Sequence, residues 1–300
     1  MTLLDYQTQY NQLLLSKPFT PVMLHLLCDW SLELIRANDL TPAEEKVREY
    51  GYRAFLGNMQ KFEGYQFFSF RGFSSYSVKE IKTDKLSVSH PEEYNDPLDT
   101  VLLTYLKRKI QTEKDPVIQT RYCMLLRAAH HLRMRCFVRT TPLIHEDGKM
   151  GEREQDVQDI NPLMWAHYAQ YHKGFCIKYE LDDKFVKYDE AKKTFTRMAI
   201  LKYCKDIDLN AGLTIGDALL WKNAIWDYEQ EVRVIHLDYE NKEQYKEIDA
   251  PKLKAIYLGL KCSDSDRHDM EMALRGKQVD LYQMKLDESN VCKLVAERIG

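Results

Sequence analysis

The spacing of hydrophobic residues changes several times along the chain, and each regular stretch predicts a helix or a strand. Within residues 24–35 apolar side chains recur at spacings of three and four, which predicts an amphipathic helix. Thr41 and Pro42 follow with the features of a helix N-terminus, a capping hydroxyl before a proline. We therefore predict a helical N-terminal extension over residues 1–62 and assign residues 63–300 to the main domain.

From residue 65 onward, strand patterns alternate with helical ones. Strands are predicted for YQFFSFRGF, KLSVSH, MRCFVRT, FCIKYEL, MAILKYCK, WDYEQEVRVIHL, KAIYLGL and VDLYQMKL. Helices are predicted for SSYSVKEIKTD, NPLMWAHYAQYHKG, GDALLWKNAIW and DSDRHDMEMALRG. In the second of these helices Asn161 and Pro162 suit the start and Gly174 a left-handed stop. The order of the elements predicts an α+β fold, a mixed β-sheet with flanking helices.

Composition and charge narrow the classes of protein. The chain has 300 residues, of which 44% are hydrophobic and 30% charged, and such a composition is typical of a globular protein. Its net charge of −3 does not provide the broad positive surface of a non-specific nucleic-acid binder. No run approaches the ~20 apolar residues of a membrane span, and the first residues do not have the pattern of a signal peptide. The seven cysteines include no C-x-x-C pair, so we expect reduced thiols and a cytoplasmic protein.

Two carboxylates near the end of the chain are the first candidates for chemistry. In a strand, Glu229, Glu231 and Arg233 would share one face because alternate side chains point the same way. Neighbouring carboxylates repel each other, so this arrangement predicts a partner such as a cation, a hydroxyl-rich ligand or the arginine itself. The alternative is a solvated strand face with an ordinary Glu–Arg pair.

Further candidates lie upstream. Arg71 ends an aromatic strand and needs an anion or carbonyl groups, unless it only caps the core. Asn95 and Asp96 lie in the turn YNDPLD, where their side chains can also simply hold the turn.

The helix NPLMWAHYAQYHKG presents aromatic and imidazole side chains. Trp165 and Tyr168 would lie on one side of it, and His167 on another. His167 and His172 are about 140° apart around a helix, which makes them poor ligands for one metal ion. The chain has no H-E-x-x-H, phosphate-loop or nucleophile-elbow motif. We predict no metal site.

Four segments carry a family resemblance: YQFFSFRGFSSYSVKEIKTDKLSVSHPEEYNDPLD, RCFVRT, NPLMWAHYAQYHKGFCIKYEL and KNAIWDYEQEVRVI. Together with the closing IYLGL and VDLYQMKL they resemble the bacterial family known as domain of unknown function 2971. The resemblance covers roughly residues 65–290, and NDPLD, MWAHYAQYHKGFCIKYE and W-x-Y-E-Q-E-x-R are its most specific parts.

The order of residues in this family also resembles a minimal ADP-ribosyltransferase with a split β-sheet. That resemblance implies NAD as substrate, an arginine that grips it, a strand with small hydroxyl residues, and a late E-x-E that carries catalysis. It assigns catalysis to Glu231 and Glu229 and NAD binding to Arg71, Ser89, Asn95, Asp96, Trp165, His167 and Tyr168. The Ser-Thr-Ser strand of arginine-type transferases and the opening of the histidine type are both missing, so the nicotinamide pocket is not defined.

We therefore expect an NAD-consuming enzyme, either a transferase acting on a protein or nucleic acid or a plain NAD glycohydrolase. A toxin or phage-defence role fits such a family. One alternative is a metal-dependent nuclease that uses Glu229, Glu231 and Asp96. The other is a non-catalytic binding module in which the same residues form a structural charge network.

Overall fold

The computed structural model describes residues 66–94, 101–115, 132–140, 156–180, 187–189, 194–206, 220–238 and 245–300, with positions 119, 122 and 126. The predicted helical extension over residues 1–62 lies outside these ranges, as do Asn95 and Asp96. Within the described ranges no helix is both long enough and apolar enough to cross a membrane. The five cysteines in these ranges are free thiols: Cys136, Cys176, Cys204, Cys262 and Cys292.

Strands dominate the described part of the chain. They are β1 (Phe67–Arg71), β2 (Lys85–Ser89), β3 (Leu132–Arg139), β4 (Phe175–Glu180), β5 (Lys187–Asp189), β6 (Thr194–Ile200), β7 (Lys202–Cys204), β8 (Trp221–Asn223), β9 (Glu231–Asp238), β10 (Tyr245–Asp249), β11 (Lys252–Leu258), β12 (Asp280–Leu286) and β13 (Leu294–Arg298). The α-helices are α1 (Ser75–Thr83), α2 (Val101–Thr112), α3 (Leu163–Tyr168) and α4 (Asp264–Ala273). Short 3-10 helices cover Pro91–Glu93, Val157–Asp159 and Ala224–Glu229.

Eleven of these strands form one mixed sheet. Its order is β13-β12-β11-β4-β1-β3-β9-β6-β5, and β2 pairs with both β3 and β10. Within it β11 and β12 run parallel, and β7 and β8 form a separate parallel pair. The structure thus confirms the predicted α+β fold with a large mixed sheet, whereas its ADP-ribosyltransferase-like type stays a prediction.

The sheet has a hydrophobic layer on each face, which explains the aromatic run in β1. Phe67 packs into a cluster on the side of α1 and α4, whereas Phe68 and Phe70 pack into another with α3. This is the alternation expected when both faces of a strand are covered. The helix α1 is capped by Ser74, which forms a reciprocal capping box with Ser77.

The sheet has an opening beside β3, where its neighbours β1 and β2 are not paired with it. β3 pairs with β1 only at Phe67↔Arg139 and Phe68↔Val138, and with β2 only at Ser89↔Met134. Between these pairings β1 and β2 diverge from β3, while the other edge of β3 stays paired with β9 along seven residues. Side chains from both faces of the sheet can therefore reach one space.

Two predicted helices differ from the structure. The helix NPLMWAHYAQYHKG ends at Tyr168, because Gln170, Tyr171 and His172 take left-handed φ angles of 49°, 56° and 69°. Gly174 does not serve as a left-handed stop. A Cβ there would lie 2.1 Å from the carbonyl oxygen of Arg71, so the glycine allows a close backbone approach.

The second difference concerns GDALLWKNAIW. Of its described part only the first residue, Leu220, is helical, and the chain then forms the strand β8, which pairs with β7, and a 3-10 helix. Pairing with a neighbouring strand overrides the local helical pattern there. The prediction that Glu229 lies in a strand is also wrong, since this residue ends the 3-10 helix and β9 begins at Glu231.

Candidate functional site

A cavity of about 560 Å³ lies at the opening of the sheet. Its volume is in the usual range for small-molecule sites. Phe68–Arg71 of β1 all line it, although neighbouring residues of a strand point to opposite faces. Apart from its phenylalanines, the polar and aromatic residues of its wall are Ser69, Arg71, Ser89, Tyr94, Arg135, Cys136, Tyr168, Lys222, Trp226, Glu229 and Glu231.

At one end of the cavity a lysine joins the two carboxylates. Nζ of Lys222 lies 2.6 Å from Oε2 of Glu229 and 3.0 Å from Oε2 of Glu231. Nε of Arg233 donates to Oε1 of Glu231 at 2.7 Å. All four side chains are buried, and two positive charges balance two negative ones. Buried charges require such pairing, so this arrangement explains how two glutamates share one place.

The two carboxyls differ in their pKa. Burial opposes ionisation of Glu231, but the charges of Arg233 and Lys222 outweigh it and lower its pKa to about 2. Burial raises the pKa of Glu229 and outweighs the lowering by Lys222 and Tyr168, with a smaller contribution from repulsion by Glu231. A pair of carboxyls whose pKa values are pushed apart is typical of acid–base sites.

Two tyrosines form hydrogen bonds with these glutamates, one with a carboxylate and one with the backbone. The hydroxyl of Tyr168 donates to Oε1 of Glu229 at 2.5 Å, and burial together with this bond raises the pKa of Tyr168. The hydroxyl of Tyr203 accepts a hydrogen bond of 2.7 Å from the backbone N–H of Glu231. The site therefore has partners in α3, β7, β8 and β9.

The other end of the cavity carries two arginines. A terminal nitrogen of Arg71 lies 3.4 Å from Oε2 of Glu80, and one of Arg135 lies 3.6 Å from the same atom. Arg135 also donates to the hydroxyl of Ser69 at 3.3 Å. Glu80, from α1, accepts on its other oxygen a hydrogen bond of 2.8 Å from the backbone of Ser87. Two guanidinium groups thus share one carboxylate.

The structure brings together five of the residues predicted from the sequence. Arg71, Ser89, Tyr168, Glu229 and Glu231 all line the cavity.

Trp165 and His167 are placed elsewhere. Trp165 is buried in the core, edge-on to Phe70 with ring centroids 5.1 Å apart, and does not line this cavity. His167 lies outside the cavity and contacts the hydroxyl of Tyr228 through Nδ1 at 3.1 Å. Tyr228 directly precedes Glu229 along the chain, so His167 contacts the segment that carries this carboxylate.

Lys222 and Arg135 were not among the site residues predicted from the sequence. A cation, a hydroxyl-rich ligand or Arg233 was predicted beside the glutamate pair, whereas Lys222 lay in a predicted helix. Arg135 shares one face of β3 with the buried Phe137, and a charged residue on that face was the available signal.

Within the described part of the chain, no group of three or more His, Cys, Asp or Glu side chains is arranged to hold a metal ion. The predicted lack of a metal site stays a prediction. Any divalent cation binding to both Glu229 and Glu231 would compete with the ammonium of Lys222, which contacts both of them.

Comparison with known proteins gives one family. Residues 164–234 match the family described as "Protein of unknown function (DUF2971)", which confirms the family expected from the sequence motifs. The match runs from α3 to the middle of β9 and includes Tyr168, Lys222, Glu229 and Glu231. No curated protein and no solved structure matches the chain.

Proposed function

We propose that this protein consumes NAD, breaking the bond between nicotinamide and ribose. The observation that supports it is the cavity with a carboxylate pair of separated pKa at one end and two arginines at the other. In NAD the reacting ribose is bonded directly to the diphosphate, so one molecule presents one group for the carboxylates and one for the arginines. Cleavage of a glycosidic bond passes through a state with positive charge on the sugar, which an ionised carboxylate stabilises.

In this proposal Glu231 is the carboxylate beside the ribose, since its lowered pKa keeps it ionised. When the C1′–N bond breaks, the bonding electron pair leaves with nicotinamide. A hydroxyl of the acceptor or a water then attacks C1′, and its proton passes to the carboxylate of Glu229. Arg71 offsets the charge of the diphosphate, and Tyr168 holds Glu229 in position through its 2.5 Å hydrogen bond.

The acceptor is a protein or nucleic acid for a transferase and water for a glycohydrolase. A cytoplasmic toxin or phage-defence effector fits either reaction. The proposal extends the family assignment by an activity, and it rests on the residues of the cavity.

The test uses the full chain and NAD labelled in its adenosine part, incubated with and without a cell lysate. Free nicotinamide reports cleavage, and label on macromolecules reports transfer. Glu231→Gln should abolish most of the nicotinamide release, whereas Glu180→Gln, on an exposed residue outside the cavity wall, should not. Binding of NAD without its cleavage would indicate a non-catalytic binding module.

A further inference from the structure

The arginine end of the cavity has donor groups that the described part of the chain does not use. Arg71 makes an ion pair with Glu80 at 3.4 Å and no hydrogen bond to a described residue. The guanidinium of Arg135 has one hydrogen bond there, the 3.3 Å contact with Ser69. Arginine carries five N–H donors in a fixed fork. Most donors of this pair thus have no protein acceptor among the described residues.

The carboxylate between them is also incompletely satisfied. Oε2 of Glu80 is buried and accepts no hydrogen bond from a described residue, although both guanidiniums lie within 3.6 Å. One negative charge faces two positive ones, so the described residues at this end of the cavity carry a net positive charge. The carboxylate cluster around Lys222 is balanced and does not cancel it.

The two arginines stand on opposite sides of the opening. Arg71 ends β1, and Arg135 lies in β3, where the two strands no longer pair. Both line the same cavity. An anion between them would be held from two strands, and two forked guanidiniums match the several oxygens of a phosphate group.

We propose that Arg135 is a specificity-determining residue, which together with Arg71 forms an anion subsite that selects phosphorylated nucleotides over nucleosides. The inference deepens the proposed function and rests on it for the choice of nucleotide. It requires binding only, and no cleavage. Glu80 limits the affinity of the subsite because it neutralises one of the two positive charges.

Substitutions of Arg135 and of Glu80 should therefore change ADP-ribose binding in opposite directions. Arg135→Gln removes one of the two guanidiniums and should weaken ADP-ribose binding by roughly tenfold or more, the scale of losing a charge-assisted hydrogen-bond pair. Glu80→Gln keeps the shape, and its amide oxygen can still accept from Ser87. It leaves both guanidiniums unneutralised, so it should strengthen ADP-ribose binding. A merely structural ion pair would be damaged by both changes.

The experiment is titration calorimetry on the full chain with ADP-ribose, which is not cleaved, and with adenosine. ADP-ribose should bind at least about tenfold tighter than adenosine, and this margin should shrink at high salt. Arg267→Gln is the matched control, since it removes the same charge from an exposed helix outside the cavity wall. It should leave both affinities unchanged.

Several results would overturn the inference: equal affinities for ADP-ribose and adenosine, no binding of either, or an Arg135→Gln variant that binds as wild type. If Arg135→Gln does not fold, Glu80→Gln decides, and weaker binding in that variant counts against the subsite. ADP-ribose binding through Arg135 without NAD cleavage refutes the proposed function alone. NAD cleavage that does not depend on Arg135 refutes the inference alone.

Discussion

The ammonium of Lys222 lies 2.6 Å from the carboxylate of Glu229, and both side chains are almost fully buried. The same nitrogen reaches Glu231 at 3.0 Å. The positive charge of this lysine therefore stabilises the two buried carboxylates beside each other.

Lys222→Met should leave two buried carboxylates with one fewer positive charge. Removing one partner of a buried ion pair costs about 3 kcal/mol or more. We expect the free energy of unfolding in urea to fall by that amount at pH 7, and by less at pH 3, where protonation relieves the repulsion. Lys252→Met, on an exposed lysine paired with Glu180, should change it by no more than about 0.5 kcal/mol. A loss of similar size in both variants would contradict this explanation.

The pH dependence of stability should contain two opposite contributions. The pKa of Glu231 is about 2 in the folded protein, below its ordinary 4.5. The unfolded chain then binds more protons, so stability increases with pH between about 2 and 4.5. The pKa of Glu229 is raised above 4.5 in the folded protein. Its contribution therefore has the opposite sign, and stability decreases as the pH rises from 4.5 through the folded value.

Single substitutions separate these contributions. Glu231→Gln should remove the acid-side loss of stability, and Glu229→Gln should remove the decline above pH 4.5. The measurement is urea unfolding from pH 2 to 8 for wild type and both variants. Identical pH profiles for all three would show that neither carboxyl is shifted.

The two carboxylates should differ in catalysis if the proposed function holds. Glu231→Gln should reduce nicotinamide release by roughly 10²-fold or more, the scale of losing one electrostatic stabiliser. Glu229→Gln should reduce label transfer to the acceptor more than nicotinamide release. Equal and mild effects on both readouts would identify a structural charge network instead.

Chelation should leave the reaction unchanged. Lys222 already supplies positive charge to both carboxylates, and the arginines face the diphosphate in the proposed complex. We expect equal nicotinamide release with and without EDTA. Activity lost in EDTA and restored by magnesium or manganese, together with cleavage of a nucleic-acid substrate, would favour a nuclease.

Gly174→Ala should affect the backbone that carries Arg71. The added Cβ would lie 2.1 Å from the Arg71 carbonyl oxygen and 2.9 Å from that of Ala169, both of them backbone atoms. We expect the free energy of unfolding to fall by about 2 kcal/mol, as in other overpacked positions. Gly300→Ala is the control, because its Cβ would meet Leu281 at an ordinary 3.4 Å. An unchanged unfolding midpoint for Gly174→Ala would mean that this contact relaxes freely.

The elements predicted well are those in which local pattern and packing agree. β1, α1 and β2 follow one another with alternating or helical apolar positions, and the structure places them at the expected segments. The late strands β11 and β12 and the helix α4 follow the same rule.

The elements predicted badly depend on distant partners. The left-handed turn at Gln170, Tyr171 and His172 contains no glycine, so its sequence gives no sign of it. It is stabilised instead by long-range bonds. The carbonyl of His172 accepts from the backbone of Lys261 at 2.8 Å, and the amide of Gln170 bonds both the N–H and the carbonyl of Phe73.

The residues of the site follow the same rule, since those that depend on distant partners were not predicted. Arg71 and Glu231 were recognisable because the first ends and the second begins a patterned strand. The roles of Lys222 and Arg135 depend on the tertiary structure. Lys222 reaches Glu231 because β8 lies close to β9, and Arg135 lines the cavity because β3 is separated from β1 there. Such contacts depend on tertiary pairing, which local propensity does not encode.

β1 and β3 form a wedge whose apex is the pair Phe68↔Val138. Glu231 lies beside Val138 on the next strand, so the carboxylates are close to the apex. Arg71 lies three residues further along β1, about 10 Å towards the mouth. A small rotation about the apex would move Arg71 far more than it moves Glu231. The fold thus keeps its carboxylates near the apex, whereas the position of Arg71 follows β1 together with β4, the strand with which β1 pairs along its whole length.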